Sequence, residues 1–281
     1  MELKHTAERE GRLSSFLREE LKMSTGLMNR LKWQEKIFVN GKPEHNDFHI
    51  RPGDVITVPL DEEEPDYPPQ DGDISIIFED EWLLAVEKPA GMLIHPSRSR
   101  FDGTLANFVL GYYVRTGQRS AFHPVTRLDR DTFGIVLLTK NAHVHALMQA
   151  ADLQKTYHAL TLGGPAADAG VIDAPIARKE LPSLLREVRP DGKPSVTEFR
   201  VLERSGKLCK LKLRPVTGRT HQLRVHCAYM GWPIVGDPQY GGEAVMGFGW
   251  DHQALCAKRL EFTHPITGER MVLESKMEAA L

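Results

Sequence analysis

Thr126-Arg127-Leu128-Asp129-Arg130-Asp131-Thr132-Phe133-Gly134 is the densest polar run in the chain, and it leads straight into the apolar stretch Ile135–Thr139. A polar loop feeding a strand is a common way to hold reactive groups on a rigid support. The Asp129 carboxylate sits between Arg127 and Arg130, whose positive charge favours its ionised form. An ionised carboxylate is a poor general acid but a usable nucleophile or electrostatic partner at neutral pH. Taken alone, the segment reads equally well as a surface ion-pair loop.

Working outward, Ile135–Thr139 is one of a series of short strands. Ile74–Phe78, Leu83–Val86, Thr156–Leu162 and Val196–Leu202 have the same character. Asp191-Gly192 predicts the turn of a hairpin leading into the last of these. Lys210, Lys212 and Arg214 alternate with Leu211 and Leu213, giving a strand with one basic face. Asn141 is placed to cap a helix running to about Ala151, with Val144, Leu147, Met148 and Ala151 inward. Arg219–Met230 also reads as a helix, with Leu223, Cys227 and Met230 on one stripe and Gly231 then Pro233 ending it. Consecutive strands with scattered helices predict an α+β domain on a largely antiparallel, mixed sheet.

A boundary precedes that domain. Asp61–Asp73 (DEEEPDYPPQDGD) holds seven acids, three prolines and no base, so mutual repulsion and proline together predict an extended linker. Residues 1–60 form a small α/β unit before it. Leu13, Phe16, Leu17 and Leu21 recur at helical spacing, and Leu27, Met28 and Leu31 follow on a second short helix. Ile37-Phe38-Val39, the turn at Asn40-Gly41, and Val55–Val58 after Pro52-Gly53-Asp54 predict strands and a hairpin. The division is therefore 1–60, linker 61–73, and 74–281.

The 281 residues carry 36 Lys+Arg against 38 Asp+Glu, and 41% are apolar, which excludes wholesale disorder and collagen-like sequence. A net charge of -2 argues at first against a nucleic-acid partner. The sum hides its distribution, since the linker supplies all of the negative excess and the rest of the chain is modestly basic. Met1–Arg12 has no apolar run of signal-peptide length, and no stretch approaches the ~18 apolar residues of a membrane span. Cys209, Cys227 and Cys256 are odd in number and widely spaced, against both a disulfide framework and a zinc site. A soluble cytoplasmic protein with three buried thiols is expected.

The second polar cluster is Gly218-Arg219-Thr220-His221-Gln222-Leu223-Arg224-Val225-His226. Arg224 lies three residues from His221, so a helix would place both on one polar face, while His226 beside the apolar stripe suits a buried, hydrogen-bonded histidine. No H-E-x-x-H, P-loop, G-x-S-x-G elbow or dinucleotide fingerprint is present, and the twelve histidines do not suggest zinc.

Together these blocks resemble the RluA-type family of RNA pseudouridine synthases. Arg127-Leu128-Asp129-Arg130-Asp131-Thr132 with Gly134 looks like its signature. Glu87-Lys88-Pro89-Ala90-Gly91-Met92 and His95-Pro96 precede it, and Lys155-Thr156-Tyr157, Gly218–His226 and Gly236-Asp237-Pro238-Gln239-Tyr240-Gly241 follow in the family's order, with His264-Pro265 near the end. The match spans about residues 75–275. Residues 11–60 resemble, more loosely, the small αL RNA-binding domain of ribosomal-protein type.

The resemblance implies a pseudouridine-synthase catalytic domain that flips a uridine out of its stack and requires neither metal nor organic cofactor. Asp129 would be the catalytic aspartate, Arg224 its partner across the fold, and Tyr157 the ring that stacks on the flipped base. Arg127, Arg130, Thr132, Arg219, His221 and Lys88 would contact the RNA or the base. Lys88-Pro89-Ala90-Gly91 reads alternatively as a structural turn. The family commonly has His where this chain has Thr126 and Ser where it has Phe133, departures that flank the aspartate without replacing it. The implied partner is structured RNA, ribosomal RNA favoured and transfer RNA the alternative, with a monomeric protein. The competing readings are a non-catalytic RNA-binding or ribosome-assembly protein, and a glycoside hydrolase, which needs two carboxylates across the bond.

Overall fold

The computed structural model describes residues 1–60, 64–97 and 100–281. The first part runs β1 (Glu2–Thr6), β2 (Gly11–Arg12), α1 (Leu13–Glu19), α2 (Thr25–Trp33), β3 (Phe38–Val39), β4 (Lys42–Pro43), β5 (His49–Ile50) and β6 (Val55–Pro59). α1 forms where Leu13, Phe16 and Leu17 turn one face inward. α2 starts where the Ser24 hydroxyl accepts the Leu27 N–H at 3.2 Å. Asn40 and Gly41 both take positive φ, 50° and 79°, the geometry that joins β3 to β4 in a tight hairpin. β1 is absent from the expectations above. It is an edge strand of the sheet β1-β6-β3-β4 in which only Leu3 is buried, so it carries no alternating pattern.

The second part contributes β7 (Ser75–Glu79), β8 (Leu83–Lys88), α3 (Leu105–Arg115), β9 (His123–Pro124), β10 (Phe133–Thr139), α4 (Ala142–Ala150) and β11 (Gln154–Leu162). β12 (Ala169–Asp173), β13 (Ile176–Arg178), β14 (Arg186–Val188), β15 (Val196–Ser205), β16 (Leu208–Pro215), α5 (Gln222–Tyr229), β17 (Leu255–Thr263) and β18 (Arg270–Glu274) follow. Ten of these strands form one sheet, ordered β12-β15-β16-β11-β17-β10-β8-β7, with β18 on β17 and β9 on β10. Among the described residues every strand pairing is antiparallel except β10 with β17, which run parallel over Phe133↔Cys256 and Gly134↔Ala257. The result is the expected α+β, largely antiparallel mixed sheet. α4 begins as expected, with Asn141 Oδ1 accepting the His143 N–H at 2.8 Å.

Four expectations change. α3 was not anticipated, although Thr104 and Asn107 cap it reciprocally. The helix expected over Arg219–Met230 is shorter, because the Gln222 side chain accepts from the Thr217 hydroxyl (2.8 Å) and the Arg219 N–H (3.0 Å) and folds residues 217–221 into a loop. Asp191-Gly192 does sit in a turn, but β14 pairs with β13 and β15 with β12 and β16, so no hairpin joins them. The linker's first residues, 61–63, lie outside the described residues. From Glu64 onward it is without helix or strand but is not free. Gln70 N–H donates to Asn107 O at 2.9 Å, Gly103 N–H donates to Gln70 Oε1 at 2.8 Å, and Tyr67 packs against the apolar cluster that includes Leu105 and Phe122.

One apolar cluster runs from Leu17, Leu31 and Ile56 of the first part to Trp82, Ile135, Met148 and Phe262 of the second. A second, of Leu211, Leu213, Leu223, Cys227 and Trp232, seats α5 against the sheet. All three cysteines are buried and free. Among the described residues no helix is long and apolar enough to cross a membrane.

Candidate active site

The sheet's register builds the site. Leu213, Tyr157, Ala257, Gly134 and Lys88 lie side by side across β16, β11, β17, β10 and β8. Residues in such a row share a face, so Tyr157 and Lys88 project to the same side. A bulge opposite Thr156/Tyr157, where the pairing passes over Lys258, re-aims Tyr157 at this point. Gly134 is required where β10 begins. Its φ is 106°, and a Cβ there would meet the Ala257 carbonyl oxygen at 2.4 Å. The loop before Gly134 thereby holds Asp129 over the row.

Asp129 is met from α5. Arg224 Nη1 donates to Asp129 Oδ2 at 3.0 Å across 95 residues of sequence. The same guanidinium grips Asp237 with Nε to Oδ2 at 2.7 Å and Nη2 to Oδ1 at 2.9 Å, and Nη2 also reaches Gln239 Oε1 at 2.6 Å. Asp237 is fully buried and Arg224 nearly so. Burial works against the Arg224 charge, and the Asp237 and Asp129 carboxylates more than offset it. The Tyr240 ring lies 5.0 Å beneath the guanidinium carbon. Asp129 keeps 30% of its side chain exposed, the open end of an otherwise closed chain of charges. Tyr157 lies close enough to Asp129 that the carboxylate, after burial, helps push its hydroxyl pKa upward, so it serves as a neutral ring.

This arrangement holds a carboxylate, with one side still exposed, near an aromatic ring. A family model described as RNA pseudouridylate synthase matches residues 82–229. The chain belongs to that family. The synthase is 36% identical over 266 residues to ribosomal large subunit pseudouridine synthase D of Vibrio cholerae, covering 86% of this chain and 81% of that one. It is 35% identical over 274 residues to the RNA pseudouridine synthase YhcT of Bacillus subtilis, covering 95% and 90%. Among solved structures, human RNA pseudouridylate synthase domain containing 1 superposes with a TM-score of 0.60 at 26% identity, covering 75% of this chain and 86% of that one. The synthase is thus an isomerase acting on RNA.

Two expectations for its site residues are corrected. Lys88 does not face RNA. It is fully buried, and Nζ donates to the carbonyls of Pro89 (2.8 Å), Met92 (2.9 Å) and Arg130 (2.8 Å), bracing the Lys88–Met92 turn against the Asp129 loop. Burial pushes its pKa down to about 7 while Asp131 and Asp129 act against the shift, and three acceptors call for the ammonium form with its three hydrogens. Thr132 is buried as well, its hydroxyl accepting from Gln253 Nε2. Arg130 is exposed and turns to its own neighbour. It forms a fork with Asp131 at 2.9 and 2.8 Å, and that hydrogen-bonded pairing holds Asp131 below the usual carboxylate range.

The remaining expected residues divide. His221 enters the site, with Nε2 3.8 Å from Asp129 Oδ2. Arg127 is exposed at the rim, where its charge acts on half-buried Lys155 and His95. Arg219 points away and donates to Pro194 O at 3.1 Å. The basic strand is also outside the site, because Lys212 pairs with His158 and so faces away from Tyr157, and Arg214 is forked to Glu198. Sequence reasoning missed Asp237, Gln239 and Tyr240 as functional residues. Their signal was the block Gly236–Gly241, whose order in the chain matched while no role was attached to it.

Proposed function

We propose that the protein converts uridine to pseudouridine in structured ribosomal RNA, with Asp129 as the attacking group. The carrying observation is the chain Asp129–Arg224–Asp237, which anchors one carboxylate through a buried guanidinium and leaves its other side open beside Tyr157. A uridine flipped into this cleft would stack on Tyr157, an interaction contributing roughly 1–3 kcal/mol. Attack by Asp129 detaches the base by breaking C1′–N1. The base rotates, the bond to Asp129 breaks as C1′–C5 forms, C5 loses its proton and N1 gains one, so product and substrate are isomers and the carboxylate is regenerated. Arg224 keeps Asp129 aligned for that attack. The glycoside-hydrolase alternative lacks its second carboxylate, since Asp131 is engaged by Arg130 and Asp237 is sealed under Arg224.

Ribosomal RNA is favoured over transfer RNA because the Vibrio cholerae relative is named for the large ribosomal subunit. In this reading residues 1–60 are a small RNA-binding unit of ribosomal-protein αL type, residues 74–281 the catalytic domain, and the protein is a cytoplasmic monomer. The test is to incubate the purified protein separately with unmodified ribosomal and transfer RNA and map new pseudouridines by base-resolved sequencing. Discrete sites in ribosomal RNA are expected. Sites confined to transfer RNA would overturn the target, and none in either would overturn the activity on these RNAs.

A further inference from the structure

His221 takes left-handed backbone, φ 56°, a conformation that is uncommon for any residue other than glycine. It stands at the N-terminal cap of α5, yet its side chain makes no capping hydrogen bond. The imidazole is strung between two other groups. Nδ1 lies 2.9 Å from the Tyr240 hydroxyl, and Nε2 lies 3.8 Å from Asp129 Oδ2. The Tyr240 oxygen already accepts the Arg186 backbone N–H at 2.9 Å, which directs its own proton at Nδ1. A neutral imidazole so held carries its hydrogen on Nε2, facing the carboxylate. Burial lowers the His221 pKa. Arg224 and Arg186 act in the same sense, and Asp129 and Asp237 oppose them.

We propose that His221 is a positioning residue for Asp129, its Nε2–H aimed by the Tyr240 hydroxyl and the Arg186 amide so that it closes on Oδ2 when the nucleotide enters. Arg224 already holds that same oxygen at 3.0 Å. Two donors on Oδ2 fix the rotation of the carboxylate and leave Oδ1 as the attacking oxygen. At 3.8 Å the contact is longer than a hydrogen bond, as catalytic contacts commonly are before substrate tightens them. The inference rests on Asp129 being the attacking group.

The test is the rate of tritium release from RNA labelled at uridine C5, with kcat and KM separated. Asp129→Asn should abolish release. His221→Leu should lower kcat by roughly 10- to 100-fold, the range a hydrogen bond to a charged group supports, with KM little changed. His221→Gln keeps a donor near the Nε2 position and should recover most of that loss. Tyr240→Phe keeps the ring under Arg224 but removes the aiming hydroxyl, and should lower kcat as well. Wild-type kcat in His221→Leu or in Tyr240→Phe, beside an inactive Asp129→Asn, refutes the inference and leaves the attacking group standing. Equal losses in His221→Leu and His221→Gln refute it too, by showing that the ring only fills space. If Asp129→Asn releases label normally, the underlying reading of the site fails instead.

Discussion

Replacing Asp237 with alanine should cost the fold far more than replacing any exposed partner in the same site. Asp237 is fully buried and accepts both Nε and Nη2 of Arg224, at 2.7 and 2.9 Å, together with the backbone N–H groups of Gln239 (3.1 Å) and Tyr240 (3.3 Å). Alanine would strand a guanidinium that is only 5% exposed, with no acceptor for its Nε–H. Breaking a buried ion pair from one side costs about 3–5 kcal/mol. At about 2–4 °C per kcal/mol for a domain of this size, the Tm should fall on the order of 6–20 °C. Activity should fall too, because the guanidinium is then free to swing about its link to Asp129. Scanning calorimetry measures the first effect, and label release well below both midpoints measures the second. Arg130→Ala is the internal control. It breaks a pair whose arginine is 61% exposed, worth about 0–1 kcal/mol, so its Tm should move by a few degrees at most. A shift in Asp237→Ala no larger than that of Arg130→Ala would refute the reasoning that a buried anchor organises the site.

Lys88→Met removes the shared donor of three carbonyls at a fully buried position, each carbonyl worth about 1–3 kcal/mol when left unsatisfied. Faster amide exchange around Asp129 and a lower kcat are expected, and unchanged exchange would contradict the bracing role. Gly134→Ala forces a Cβ against the Ala257 backbone at positive φ and should cost at least about 2 kcal/mol in urea unfolding. The pH dependence should show at Glu79. Burial raises its pKa, but hydrogen bonds from Lys140, Tyr112 and Gln118 outweigh that and bring it below the ordinary 4.5. The folded state therefore favours the carboxylate, so its contribution is full above about pH 4.5 and is lost as the pH falls through the lower folded value. The stability gap between wild type and Glu79→Gln should be constant near neutrality and shrink in acid. A gap that grows in acid would reverse the sign.

The parts of the fold that the sequence exposed are those governed by local pattern. β10, β11 and β16 alternate or run apolar, Asn141 caps its helix, and Asn40-Gly41 turns its hairpin. β1 escaped because an edge strand with one buried residue has no period to read. α5 was drawn too long because the Gln222 side chain, a tertiary device, ends the helix early. The site shows the same division. Asp129, Tyr157 and Arg224 were legible as ordered blocks, but the local charge logic placed on Arg127 and Arg130 did not point to Arg224 as the cation bonded to Asp129. The cation that holds Asp129 comes from 95 residues away, and Arg130 turns to its own neighbour. Lys88 and Thr132 were assigned outward roles because burial of a polar side chain depends on what packs over it, which spacing does not encode.

The central claim is that Asp129 performs the chemistry while the rest of the cleft holds the RNA. Its most direct test pairs tritium release from C5-labelled ribosomal RNA with binding of the same RNA, for the wild type and Asp129→Asn. Asp129→Asn keeps the shape of the loop and an acceptor for Arg224, so it should bind RNA with nearly wild-type affinity and release no label. Release at the wild-type rate by Asp129→Asn would contradict the account.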